Sequence, residues 1–167
     1  MVSEKQSRWK GYVKEVVLGI AAIFIFSNII NYIRAPKLEN DHFVLPPAHL
    51  IDGTTYRYKE GKPVILHFWG TWCPICRMEA NNIDRLARSY EVITVAVNSQ
   101  NVETVRTYMR EHGLHYRVIN DPEGKLAAQY RVEVFPTTFI FDTVGKLRFT
   151  LTGYTTSAGL TARMKML

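Results

Sequence analysis

The chain has 167 residues, 47% of them hydrophobic, with a formal charge of +6, enough for about one domain with a packed core. Residues 1–37 carry six basic and two acidic side chains, and the remainder carries 15 and 13. The charge excess therefore borders an apolar stretch instead of forming a basic stripe, which excludes a nucleic-acid footprint.

Residues 16–33 are eighteen residues without a charge, close to the shortest run that crosses ~30 Å of hydrocarbon. The run is longer than the roughly 7–15-residue apolar core of a cleaved signal peptide. No small-x-small site follows it, because Tyr32-Ile-Arg-Ala-Pro36 is a poor candidate. It is read as an uncleaved transmembrane anchor. Four basic residues precede it and two follow it, which places residues 1–15 in the cytoplasm and the rest of the chain across the membrane. Asn28 and Asn31 share one helical face, near the outer interface or against a membrane partner. Residues 34–48, with Pro36, Pro46 and Pro47, read as a linker, and 49–167 as one globular domain.

Within that domain, residues 51–58 read as a β-hairpin turning at Asp52-Gly53. Residues 64–69 form a buried strand, Val-Ile-Leu-His-Phe-Trp. A helix then runs to Arg88, with Met78, Ile83, Leu86 and Ala87 as its apolar stripe. Residues 91–97 are a second apolar strand and 102–112 a helix closed by Gly113. A strand at 116–119, a turn at 120–124 and a short helical stretch at 126–130 follow. Strands at 137–141 and 147–151 flank a tight turn, and 155–166 is a terminal helix. The order β-β, then β-α-β-α-β-α-β-β-α, implies an α/β fold with a mixed central sheet flanked by helices and a hairpin extension.

Cys73 and Cys76 are the only cysteines. They stand where the 64–69 strand gives way to the following helix. Free backbone N–H groups and the positive end of the helix dipole favour an anion there, and so favour a thiolate at Cys73. Cys76, one turn later, can attack a mixed disulfide on Cys73. Two cysteines do not complete a four-ligand zinc site, and a structural disulfide usually closes a longer loop. Redox chemistry is the expected role, with no cofactor and no resident metal. The alternative is a copper-binding module in which the soft thiolates are joined by His67 or Met78. A redox-inert adaptor has no need of the cysteine pair.

The segments Phe68-Trp-Gly-Thr-Trp-Cys-Pro-Ile-Cys-Arg-Met-Glu79 and Tyr130-Arg-Val-Glu-Val-Phe-Pro-Thr-Thr-Phe139 together resemble the thioredoxin superfamily. They are most similar to its membrane-anchored TlpA/ResA/CcmG-type members, over about residues 45–165. The resemblance implies a thioredoxin fold, Cys73 as attacking thiol, Cys76 as resolving thiol and Pro136 as the cis-proline beside the disulfide. Glu79 matches an acidic position near the cysteines and is expected to exchange protons with a thiol; otherwise it is a solvated helix acid paired with Arg77 or Arg85. Trp72, Phe135 and Thr137 are the expected substrate-binding residues, with the Phe135 backbone as a short pairing edge.

Three positions depart from the pattern. His67 replaces a buried acid and is either a proton relay or a hydrogen-bonded core residue. Asn81 replaces a helix-kinking proline. Phe135 is bulkier than usual. The resemblance implies a thiol–disulfide oxidoreductase on the periplasmic face of the inner membrane, more a reductase than an oxidant. Its clients are exported proteins with cysteine thiols or disulfides, and its electrons come from a transmembrane thiol reductase.

Overall fold

The computed structural model describes residues 12–23, 25, 26, 29, 36, 38 and 41–167. The chain divides into two units, Met1–Arg34 and Ala35–Leu167. In the first unit the described residues are helical and exposed. Among the described residues no helix is long and apolar enough to cross a membrane. Positions 24, 27, 28 and 30–33 of the expected anchor, and 1–11 of the segment before it, lie outside the described residues.

The second unit opens with two short strands, β1 (Ala48–His49) and β2 (Thr55–Tyr56), paired antiparallel as Ala48↔Tyr56 and His49↔Thr55. This pairing begins before the expected Ile51, and residues 50–54 form the connection. The Asp52 carboxylate accepts the Thr54 N–H at 2.8 Å, and Gly53 takes φ +90°, a value open to glycine.

The main sheet holds β3 (Val64–Trp69), β4 (Glu91–Val97), β5 (Arg117–Asp121), β6 (Thr137–Phe141) and β7 (Leu147–Thr152). Their spatial order is β5-β4-β3-β6-β7. β3–β4 and β4–β5 are parallel, and β6 runs antiparallel to both β3 and β7. Central β3 is buried along its whole length, as its near-continuous apolar run requires. Alternation splits it between two cores. Val64, Leu66 and Phe68 meet Ile93, Val95, Phe139 and Phe141 on one face. Ile65 and Trp69 meet Val92, Ala96 and Ile140 on the other, together with Cys73 and Cys76.

The helices are α1 (Pro74–Ala87), α2 (Val102–Glu111), α3 (Lys125–Gln129) and α4 (Ser157–Met164). The last begins two residues later than expected because Thr156 caps it, its hydroxyl accepting the Gly159 N–H at 3.1 Å. α1 buries Cys76, Glu79, Ala80, Ile83, Asp84 and Leu86, spaced three and four apart. Met78, expected in that stripe, is out of phase with it and is 70% exposed.

Part of the stretch expected as linker belongs to the globular unit. Phe43 is buried against Tyr58 and Phe141. Its N–H donates to Gly145 O, and Leu147 N–H donates to Asp41 O. At the opposite sheet edge Ile51 N–H donates to Val118 O at 2.9 Å, and Leu50 bridges to Ile119.

Asp84 fastens α1 to the segment before β5. Its carboxylate accepts the His115 N–H at 2.6 Å and the Arg88 guanidinium at 3.1 Å. Burial pushes this carboxyl up, but those donors outweigh it and hold it below the usual range. Asp84→Ala leaves the His115 N–H without its acceptor and is expected to cost about 1–3 kcal/mol, read as a lower urea midpoint with an unchanged slope.

Candidate active site

The site begins where β3 ends. The Thr71 N–H donates to the Ser99 hydroxyl at 3.0 Å, and that hydroxyl donates to Val97 O at 3.1 Å. The Trp72 indole N–H also reaches Val97 O, at 3.1 Å. The end of β4 thus holds the loop that carries the cysteines. A Cβ on Gly70 would stand 2.6 Å from the Trp72 indole, so only glycine lets the ring lie back across its own loop. The ring meets Phe135 edge-on at 5.4 Å between centroids.

Cys73 is the N-cap of α1 and Pro74 its first helical residue. This is a favoured place for proline, since the missing N–H is one that lacks a helical partner anyway. The Cys73 Sγ accepts the backbone N–H of Cys76 at 3.1 Å. The two cysteines form a disulfide, with Cα atoms 5.3 Å apart. The same N–H and the dipole of a fourteen-residue helix are in place for a thiolate at Cys73 once the bond is reduced.

The Phe135–Pro136 peptide is cis. Pro136 is buried, and its carbonyl accepts the Gly153 N–H at 2.8 Å. Phe135 is half-buried and stands outside the β6 ladder, which starts at Thr137. Thr137, expected to contact substrate, is fully buried and donates its hydroxyl to Val134 O at 2.7 Å. Its side chain shapes the loop and presents nothing to a substrate.

Glu79 lies one turn beyond Cys76 on the same helix face and is fully buried. One carboxyl oxygen accepts the Thr155 N–H at 3.0 Å. The other, Oε2, has no partner among the described residues. Burial pushes the group up to about 8, against the opposing pull of the Thr155 N–H. The solvated reading, with Arg77 or Arg85 as partner, is overturned. His67 is buried too, with Nδ1 2.9 Å from the Thr138 hydroxyl. Burial drives the imidazole down to about 3, so it is a neutral, hydrogen-bonded core residue at ordinary pH. The copper alternative needs His67 or Met78 beside the sulfurs. His67 Nδ1 is engaged by Thr138, and Met78 faces solvent.

The profile of the AhpC/TSA family matches residues 39–150. The chain belongs to that family. A "Thioredoxin-like protein" of Haemophilus influenzae is 31% identical over 144 residues, covering 84% of this chain and 85% of its own. The thiol-disulfide oxidoreductase ResA of Bacillus subtilis is 32% identical over 104 residues, 59% of this chain and 58% of ResA. Among solved structures, the pneumococcal exposed lipoprotein thioredoxin Etrx1 from Streptococcus pneumoniae superposes with a TM-score of 0.63 at 32% identity. That match covers 73% of this chain and 98% of the other. The architecture is the thioredoxin fold, and the Cys73–Cys76 pair makes this AhpC/TSA-family chain a thiol–disulfide oxidoreductase.

Sequence reading did not single out Gly70, Ser99 or Thr155. Gly70 left a signal, a glycine wedged between two tryptophans. Ser99 and Thr155 left none, because they meet the site only through the fold.

Two tests follow from this geometry. Gly70→Ala displaces the Trp72 ring, which is expected to alter tryptophan fluorescence and slow disulfide exchange; an unchanged emission spectrum would show that the ring tolerates a Cβ. The second concerns Glu79. Its carboxyl releases its proton near 4.5 in the unfolded chain and near 8 in the folded one. Between those values only the folded chain holds the proton, so stability falls as pH rises. Measured on the disulfide form, where no thiol titrates, Glu79→Gln is expected to remove a slope of up to ~1.4 kcal/mol per pH unit. Parallel curves for the two proteins would mean the buried carboxyl is ionised throughout.

Proposed function

We propose that this chain is a membrane-tethered thiol–disulfide oxidoreductase that works in the bacterial periplasm and reduces disulfides in exported proteins. Within its family it is most like the suppressor-of-copper-sensitivity protein ScsD, which shares the Cys-Pro-aliphatic-Cys pair and an N-terminal anchor. The observation that carries the reading is the sulfur of Cys73 capping α1, with Cys76 and the buried Glu79 on the next turns of the same helix.

In the reduced protein the Cys73 thiolate attacks one sulfur of a client disulfide. A mixed disulfide forms, the client S–S bond breaks, and the departing client sulfur takes a proton. Cys76 must then lose its own proton to attack the Cys73 sulfur, and Glu79, in the fraction of molecules where its carboxyl is ionised, is placed to receive it. That attack closes Cys73–Cys76 and releases the second client thiol. The client gains two electrons and the protein loses two. A transmembrane thiol reductase would restore the dithiol. Trp72, Phe135 and Pro136 frame the reacting sulfurs, and the Phe135 backbone, outside the ladder, offers the client a pairing edge.

Two features support the setting. The uncharged run at 16–33 is flanked by more basic residues before it than after it. The pneumococcal relative is an exposed lipoprotein, which fits a catalytic unit outside the cytoplasm.

Cys76→Ser is expected to accumulate mixed disulfides with exported proteins, while Cys73→Ser accumulates none; equal trapping by both variants would reverse or abolish the assignment. Acid quench followed by thiol alkylation should find the wild-type pair mostly reduced in cells, and a mostly oxidised pair would make the protein an oxidant. Carbonate extraction should leave the full-length chain in the membrane pellet. A soluble product beginning near residues 36–37 would refute the anchor.

A further inference from the structure

Among the described residues of the second unit, eight large apolar side chains are well exposed: Val44, Trp72, Ile75, Met78, Val102, Val144, Tyr154 and Met166. Four of the eight, Trp72, Ile75, Met78 and Tyr154, belong to one neighbourhood beside the disulfide. Trp72 and Ile75 directly flank the cysteines in sequence. Ile75, Met78 and Asn82 are spaced three and four apart, so they form one ridge along α1. Tyr154 comes from the loop joining β7 to α4, more than seventy residues later, and reaches the same ridge: the Asn82 amide donates to the Tyr154 hydroxyl at 3.2 Å.

The loop that carries Tyr154 is fastened on both sides of it. The Gly153 N–H donates to Pro136 O at 2.8 Å. The Thr155 N–H donates to the buried carboxyl of Glu79 at 3.0 Å, and the Asn82 amide also donates to Thr155 O at 3.3 Å. The Asn82 side-chain oxygen accepts the Ser157 hydroxyl at 2.8 Å. Every polar group of Asn82 is thus spent on positioning this loop. Yet Tyr154 itself is 49% exposed. An aromatic ring held in a fixed place, with its apolar surface in water, is the kind of group that anchors a binding partner, because little rotamer freedom is lost when the partner arrives.

We propose that Tyr154, with Met78 and Ile75, forms a recognition wall for protein clients, accepting a large aliphatic or aromatic side chain close to the client's reactive cysteine. The inference rests on the reading of the chain as an oxidoreductase of protein clients, and it specifies which clients. The occupant is an extended client segment because the wall is continuous with the reacting sulfurs. Ile75 stands between the two cysteines at the start of α1, Met78 and Asn82 continue its ridge, and the Tyr154 loop begins at the hydrogen bond to Pro136. Beside the disulfide the ridge is uncharged, with Ile75, Met78 and Asn82; Arg85 continues it at the far end, and the acid beneath the loop, Glu79, is buried. A flexible thioether at Met78 lets the wall adapt to more than one apolar shape.

The test uses the full-length reduced protein in detergent and two disulfide-linked decapeptide probes. The probes are identical except for Phe or Ser beside the cysteine. The readout is the ratio of the second-order rate constants at which the Phe and Ser probes oxidise the reduced protein in a single turnover, which a general loss of folding or of thiol reactivity does not move. Wild type is expected to prefer the Phe probe by about tenfold. Tyr154→Ala and Met78→Gln should each bring the ratio to about twofold or below. Asn82→Ala, which leaves the ring in the chain but unties it, should fall between. A wild-type ratio near one, or an unchanged ratio in both Tyr154→Ala and Met78→Gln, would overturn the recognition wall while leaving the oxidoreductase reading intact. A wild type that reduces hydroxyethyl disulfide but neither peptide would instead overturn the reading of protein clients, and the wall with it.

Discussion

A helix needs acceptors for the N–H groups of its first turn, and in α1 one of them is the sulfur that does the chemistry. Cys73 caps the helix and receives the Cys76 N–H. The local structure and the reactivity therefore share one atom and one cause: the unpaired donors and the dipole that need a capping group also favour negative charge on it. Much of the remaining fold serves to hold this helix end still. The end of β4 ties down Thr71 and Trp72 through Ser99 and Val97 O. Parallel pairing sets β4 beside β3, and antiparallel pairing brings the start of β6 to the end of β3, as Phe68↔Thr137. Cys73 and Pro136, 63 positions apart in the chain, thereby lie at the same end of the sheet.

The burial of Glu79 is the costly part of this arrangement. A carboxyl with one backbone donor and one unpartnered oxygen is held poorly as an anion in an apolar core. It remains protonated up to about pH 8, which puts an exchangeable proton one helical turn from Cys76. Neutral His67 gives no charge to compete with it. The two buried polar groups have separate partners: Glu79 meets a loop backbone and His67 a strand hydroxyl.

Reading the sequence reached the parts of this site that are local. Trp-Cys-Pro-Ile-Cys after an apolar strand is a strand, a cap and a helix start in consecutive residues, and each leaves its own mark. Strands β3, β4 and β6 were legible because both their faces are buried, so they appear as largely apolar runs. The phase of α1 was not. Its buried stripe includes two acids, Glu79 and Asp84, and a search for apolar periodicity substituted Met78 for them. The environments of Glu79 and Thr137 were equally hidden. Glu79 depends on a long-range neighbour, Thr155, and Thr137 on a chain that folds back to bring the Val134 carbonyl, three residues earlier, onto its hydroxyl. The role of Asn82 leaves no local mark in the sequence because its partners, Tyr154, Thr155 and Ser157, follow more than seventy positions later.

The strap from Asp41 to Ile51 enters against β7, crosses the face of the sheet with Phe43 and Leu50 in the core, and ends against β5. Those two strands are the sheet's outer members. An outer strand presents unpaired backbone groups that can recruit another extended chain. The strap occupies part of both outer strands with the protein's own backbone, and self-assembly through the flanks of the sheet is thereby discouraged.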